Sequence, residues 1–358
     1  MHRQGLSKKK KYISLQADFS VTSARHECLT LPDHTVRDKK GKGMINIFYR
    51  LGDKIDYCQS ETEFSRLKRD SVIWIDLLDP TGEEKRATES FLGTEIQSRA
   101  QAEEIESSSR FYETDEAIFA NTNYLTPTGD EYNSDPVSFI IAGNTLATLR
   151  EIPLRSVTSL QQKLCARPSL FPSCWSIFLA MLDQRVDLDA DMVEILSKET
   201  ARFSKRINQQ EDINEDFLLD INQLQENTMI VRENVVDKQR LISNILKSDR
   251  YPEEFETRLN VLLQDIASLI NHTNFSFERL EYLQDTVVGL INLDQNRIMK
   301  IFTLVSLFLM PATLVASFYG MNVTLPFAGW NMAWLGIVAL MAVLVVMLWL
   351  VFKYKKLL

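Results

Sequence analysis

Between residues 301 and 352 the chain has no Asp, Glu, Lys, Arg or His, although 25% of its 358 residues are charged. A segment so depleted fits a membrane, because a spanning helix needs about 20 mostly apolar residues at 1.5 Å rise each. Residues 301–319 and 334–352 each reach that length, with a short loop between them. Cysteine and histidine are scarce, four of each. Cys28, Cys58, Cys165 and Cys174 form no CxxC pair, and His2, His26, His34 and His272 do not cluster, which argues against a structural zinc site or a disulfide framework. No nucleophile elbow, P-loop or glycine-rich dinucleotide fingerprint occurs, so nothing points to an enzyme or an organic cofactor. No apolar run follows Lys8 to Lys11, and a cleaved secretory signal is not expected.

Charge is unevenly spread. Arg297 and Lys300 precede the first apolar segment, Lys353, Lys355 and Lys356 follow the second, and the connecting loop has no basic residue, so both ends of this hairpin should face the cytoplasm. Tyr319, Trp330 and Trp334 would mark the outer interface, Trp349 and Tyr354 the inner one. Residues 1–43 hold ten Lys/Arg against four Asp/Glu, while the chain as a whole is at −8, so acid is concentrated in residues 44–300. The basic head reads as a disordered tail near anionic lipid, or alternatively a mitochondrial presequence. The acidic body suits cations rather than nucleic acid, although acidity also simply promotes solubility. A bacterial inner membrane is the expected location, with the mitochondrial inner membrane as the alternative.

Residues 44–50 and 71–78 read as strands, and Asp79-Pro80-Thr81-Gly82 then opens a helix that Thr81 caps ahead of Glu83 and Glu84. Residues 117–125 and 137–149 add strand-like sequence, the latter folded at Gly143-Asn144. Residues 175–246 contain no proline or glycine and read as two antiparallel helices. Beyond a break at residues 248–252, the stripe Leu259, Leu263, Ile266, Ile270, Thr273, Phe277, Leu280, Gln284, Val287 and Ile291 alternates steps of four and three, as a coiled coil does. No strong breaker follows before Lys300, so one helix of roughly 60 residues and about 90 Å runs into the first span; Pro311 is tolerable there. The fold class expected is an α+β cytoplasmic domain, with a mixed sheet and flanking helices, plus a long stalk helix and two C-terminal transmembrane helices. The expected divisions are a basic tail (1–43), the α/β domain (44–174), the helix pair (175–250), the stalk and first span (251–319), an outer loop (320–333), the second span (334–352) and a basic tail (353–358).

Asn296, Met299, Thr303, Ser306, Met310, Thr313 and Ser317 recur at steps of three and four and share one helical face. Several copies of such a face could line a pore, offering neutral groups that tolerate water without trapping an ion; alternatively, the hydroxyls bond back to their own helix. Phe302 beside Met299 suits a constriction that gates by dewetting. Gly320-Met321-Asn322 ends the helix. Mg²⁺ gives up its water reluctantly, so an Asn322 amide with Gly320 carbonyls could receive the hydrated ion; the plainer alternative is a cap and turn.

Asn296-Arg297-Ile298-Met299-Lys300, then Met310-Pro311, then Tyr319-Gly320-Met321-Asn322 resembles, in order and spacing, the signature of the CorA family of magnesium transport proteins. Trp74-Ile75-Asp76-Leu77 with Asp79-Pro80-Thr81, and Thr148-Leu149-Arg150-Glu151, resemble segments of that family's soluble domain. The resemblance implies a homopentameric channel in the lipid bilayer, taking up Mg²⁺ with Co²⁺ or Ni²⁺ as surrogates. It implies a selectivity ring of Tyr319, Gly320, Met321 and Asn322, a cytoplasmic constriction at Asn296 and Met299, and a wall including Met310 and Thr313. It also implies Mg²⁺ as regulator, bound at acidic contacts between cytoplasmic domains and holding the stalks closed. Ser108-Ser109-Arg110 stands where relatives often have Arg-Pro-Lys, leaving Glu103, Glu104 and Glu106 as the candidate regulatory carboxylates. Val323-Thr324-Leu325-Pro326-Phe327 carries no acid where many members have Met-Pro-Glu-Leu. A zinc transporter of the same superfamily is therefore the rival reading, and a membrane-anchored coiled-coil scaffold is a reading of another class.

Overall fold

The computed structural model describes residues 43–97, 110–129, 131–209, 213–321 and 332–354. Seven strands form one sheet: β1 (Met44–Leu51), β2 (Lys54–Cys58), β3 (Val72–Leu78), β4 (Phe111–Glu113), β5 (Ala117–Thr128), β6 (Glu131–Ala142) and β7 (Thr145–Arg150). Their order is β2-β1-β3-β7-β6-β5-β4. β3 and β7 run parallel, whereas β1 pairs antiparallel with β2 and β3, β6 with β7, and β4 with β5. The helices are α1 (Gly82–Leu92), α2 (Arg155–Ala166), α3 (Cys174–Asn208), α4 (Glu215–Lys247), α5 (Glu256–Tyr319) and α6 (Ala333–Tyr354). The expected α+β class with a mixed sheet, a long helix and two apolar C-terminal helices is thus present. β2, β4 and α2 were not expected: β2 is five residues of mixed polarity and β4 only three, too short for a period-two signal.

Two compact units result. The first comprises the chain up to Tyr124, Asp135–Arg185 and Leu241–Leu259. Within it, β3 (VIWIDLL) is buried on both faces, as a central strand with a parallel neighbour must be. One face packs Ile45, Ile47, Ile75 and Leu77 with Leu92 and Ile96; on the other, Phe139 meets Phe178 of α3 edge-on and Phe48 stacks on Trp74. Asp76, fully buried in β3, binds the Arg150 guanidinium through both oxygens, Oδ1 accepting from Nε at 3.0 Å and Oδ2 from Nη2 at 2.7 Å. Thr148 and Gln161 each donate a further hydrogen bond to it at 2.8 Å.

The cap of α1 forms as its sequence demands. Thr81 Oγ1 accepts from the Glu84 amide at 3.2 Å and Glu84 Oε2 accepts from the Thr81 amide at 2.7 Å. Gly43 lies against this cap: a Cβ there would sit 2.4 Å from Glu84 Oε2 and 2.6 Å from both Asp79 O and Thr81 N. Because two of those three atoms are backbone, they cannot swing aside. Gly43→Ala should therefore lose the reciprocal cap and destabilise the domain by about 1–2 kcal/mol, seen as a fall in melting temperature by circular dichroism; an unchanged melting temperature would show that the strand entry relaxes instead.

The second unit comprises Leu125–Ser134, Val186–Arg240 and Asn260–Leu358. α5 is one helix of 64 residues, continuous through Pro311, about 95 Å at 1.5 Å per residue. Its buried seam is Leu259, Leu262, Ile266, Thr273, Ser276, Leu280, Leu283 and Val287. Half of the expected stripe lies on it; Leu263, Ile270, Phe277, Gln284 and Ile291 are only half-buried. Either choice fits a 3.5-residue repeat, and partners on α3 and α4 select the one observed. Phe277 and Gln284 instead edge an open groove with Gln225, Glu226, Met229 and Glu281.

Candidate functional site

Helices Glu253–Tyr319 and Trp334–Tyr354 each contain an apolar window long enough to cross a bilayer, and neither window is buried within the chain. For the first span the question is which face meets the second. Leu304, Phe308, Pro311, Val315 and Tyr319 are half-covered and share one face. On that face Phe308 packs edge-on against Phe352 of α6 with ring centroids 6.1 Å apart. The expected functional stripe lies on the opposite side: Asn296, Met299, Thr303, Ser306, Met310, Thr313 and Ser317 are all exposed, with Phe302, also exposed, at the stripe's edge. Tyr319, read from sequence as part of the ring, shares the α6-side face.

The hydroxyls are oriented. Thr303 Oγ1 donates to Met299 O at 2.8 Å and Thr313 Oγ1 to Leu309 O at 2.9 Å. This back-bonding is the alternative weighed above, and it leaves each oxygen's lone pairs free to accept from water. The Gly320 amide donates to Ala316 O at 3.0 Å, and the Met321 amide reaches Phe318 O at 3.4 Å, so Gly320 closes the helix as a turn residue. A Cβ on Gly320 would approach Ala316 O at 3.3 Å. Residues 322–331 of the outer loop, Asn322 and Trp330 among them, and Glu103, Glu104 and Glu106 lie outside the described residues. At the C-terminal end of α6 Lys353 Nζ sits 4.8 Å from the centroid of the Trp349 ring, an arrangement suited to a membrane interface.

Among the described residues there is no group of three or more His, Cys, Asp or Glu placed to hold a metal ion. Burial pushes the Cys174 thiol up to about 12, so it stays protonated and is a poor metal ligand.

A family model described as "CorA-like Mg2+ transporter protein" matches residues 69–355. The chain belongs to the CorA family. CorA proteins are membrane transporters of divalent cations, a class that accords with the two apolar helices. Magnesium transport protein CorA of Wolinella succinogenes is 31% identical over 292 residues, 80% of this chain and 91% of that protein. Among solved structures, the complete CorA magnesium transporter of Methanocaldococcus jannaschii superposes with a TM-score of 0.69 at 16% identity, covering 88% of this chain and 98% of that one. The cytoplasmic domain of ZntB from Vibrio parahaemolyticus superposes at 0.50 and 14% identity, over 70% of this chain and 99% of that one. At such identities these two likenesses speak for the CorA fold alone. The family segments Trp74 to Leu77 and Thr148 to Glu151 are brought together by the β3–β7 ladder, which pairs Asp76 with Thr148. Sequence reasoning had no signal for that, because the partners are 72 residues apart.

Proposed function

We propose that this chain forms a homopentameric channel for hydrated Mg²⁺, with Co²⁺ and Ni²⁺ as surrogates, in a bacterial inner membrane with both termini cytoplasmic. The observation that carries this reading is the exposed Asn-Met-Thr-Ser stripe of α5, turned away from α6 and ending at Gly320 and Met321. Five copies would bring the stripes around one axis with the second spans outside. Asn296, Met299 and Phe302 then make the cytoplasmic constriction, Thr303, Ser306, Met310, Thr313 and Ser317 the wall, and Tyr319 to Asn322 the outer ring. Hydroxyl and amide oxygens accept hydrogen bonds from the water shell of the ion without stripping it. The unbroken α5 supports gating by cytoplasmic Mg²⁺, since occupancy at acidic subunit contacts, Glu103, Glu104 and Glu106 among the candidates, would offset carboxylate repulsion and hold the stalks together.

Zinc is the second reading, favoured by the acid-free segment 323–327. The test is ion influx into liposomes carrying the purified protein, with dyes for Mg²⁺ and Zn²⁺ in the lumen. Mg²⁺ influx that Zn²⁺ competes with weakly is expected. Zinc influx indifferent to millimolar Mg²⁺ would transfer the protein to the zinc branch, and no flux of either ion would favour a scaffold.

A further inference from the structure

The two sides of α6 are covered differently. Met341, Leu344, Val345, Leu348 and Phe352 are half-covered and share one helical face, the one on which Phe352 meets Phe308 of α5. On the opposite side Ala342, Val343, Val346, Met347 and Leu350 are exposed and line an open groove whose side chains are all apolar. One turn further on, the same face reaches Lys353 and Tyr354, both exposed. The groove therefore has a hydrocarbon floor and a polar end.

That polar end lacks an anion. Residues 301–358 contain no Asp or Glu, and among the described residues no carboxylate pairs with Lys353. Its ammonium is held at the groove's edge by the Trp349 ring, 4.8 Å from Nζ to centroid. Tyr354 is 91% exposed, so its hydroxyl can donate to a bound anion. Lys355 and Lys356 follow in the sequence and add positive charge. From Ala342 to Tyr354 the face spans about 18 Å at 1.5 Å per residue, close to one leaflet's half of a hydrocarbon core about 30 Å thick. An acyl chain lying in the groove would thus end with its headgroup at Lys353. An apolar span of a second copy could also cover the floor, but it carries no acid to neutralise that ammonium. A lipid phosphate supplies both halves of the complement.

We infer that this face of α6 is a binding site for an anionic phospholipid, with an acyl chain along Ala342, Val346 and Leu350 and the phosphate against the Lys353 ammonium and the Tyr354 hydroxyl. The site rests on α6 crossing the bilayer and is indifferent to which ion the protein conducts.

Native mass spectrometry of the full-length protein in detergent tests this, with phosphatidylglycerol and phosphatidylcholine of identical acyl chains added in turn. Phosphatidylglycerol should be retained about fivefold more tightly or better, the factor that one lysine near an anionic lipid surface contributes. Lys353→Gln should remove that preference, and Lys353→Arg should keep it. Val346→Trp, which fills the groove and leaves the lysine in place, should weaken phosphatidylglycerol binding. Equal retention of the two lipids by the parent protein, or a preference unchanged in Lys353→Gln, would overturn the inference. So would displacement of phosphatidylglycerol by excess glycerol phosphate, which would mark a free-phosphate site that ignores the chain. A Val346→Cys variant in liposomes covers the remaining occupant: a disulfide between copies that depends on this cysteine would assign the groove to a second copy, whereas its absence is expected. Loss of Mg²⁺ flux would leave these lipid measurements standing, and loss of lipid preference would leave the channel reading standing.

Discussion

Asp76→Ala is expected to leave the seven-stranded α+β domain largely unfolded at physiological temperature. The substitution removes the acceptor of four hydrogen bonds, two from Arg150 and one each from Thr148 and Gln161. Arg150, 3% exposed, would keep its charge with only the Ile152 carbonyl at 2.8 Å to receive it. Breaking a buried pair in this way costs about 3–5 kcal/mol, a large part of a typical total stability of about 5–15 kcal/mol. The damage should spread beyond one strand, because Thr148 also accepts from Trp74 Nε1 at 3.1 Å, and Asp76, Thr148 and Gln161 tie β3, β7 and α2 together. Thermal unfolding of detergent-solubilised protein followed by circular dichroism measures the loss. An Asp76→Leu/Arg150→Met double variant should recover much of it, since an apolar pair leaves no stranded charge. A single variant melting within a few degrees of the parent would mean that water reaches Arg150 and that the network is not the keystone of the sheet.

Asn322→Ala should reduce Mg²⁺ influx at least roughly tenfold while leaving membrane insertion and oligomer size unchanged. Hydrogen bonds to charged partners contribute about 1.5–3 kcal/mol each, and about 1.4 kcal/mol is a factor of ten. A ring of identical amides would lose one acceptor per subunit, and the methyl group of alanine offers the hydrated ion nothing in return. Asn322 directly follows Met321, at the point where α5 has ended and Gly320 has turned the chain. If Gly320 and Asn322 serve only as cap and turn, the variant should instead lower thermal stability modestly and leave flux intact. Measuring both quantities on the same preparation separates the two roles.

Much of this architecture was legible in the sequence wherever the determining force is local. The absence of charge between residues 301 and 352 dictates burial in hydrocarbon whatever the rest of the chain does. The long stalk follows from the lack of a strong breaker before Pro311. Thr81 and Glu84 cap their helix through groups three residues apart, and Gly143, at φ 58, makes the turn between β6 and β7 that only a residue without a side chain adopts readily. The polar stripe of α5 is likewise a matter of periodicity along one helix.

What tertiary structure alone decided are the pairings between distant segments. A heptad pattern allowed the seam of α5 to include Leu263 and Phe277 or Leu262 and Ser276, and contact with Ser197 and its neighbours chose the second set. Asp76 meets Arg150 only because a parallel ladder aligns strands 74 residues apart, and Asp189 meets Lys238 only because α3 and α4 fold back on each other. Composition and spacing report whether a residue prefers water or hydrocarbon and which face of its own element it occupies. Which partner completes a buried charge depends on loop closure and packing across the whole fold, and no local pattern records that.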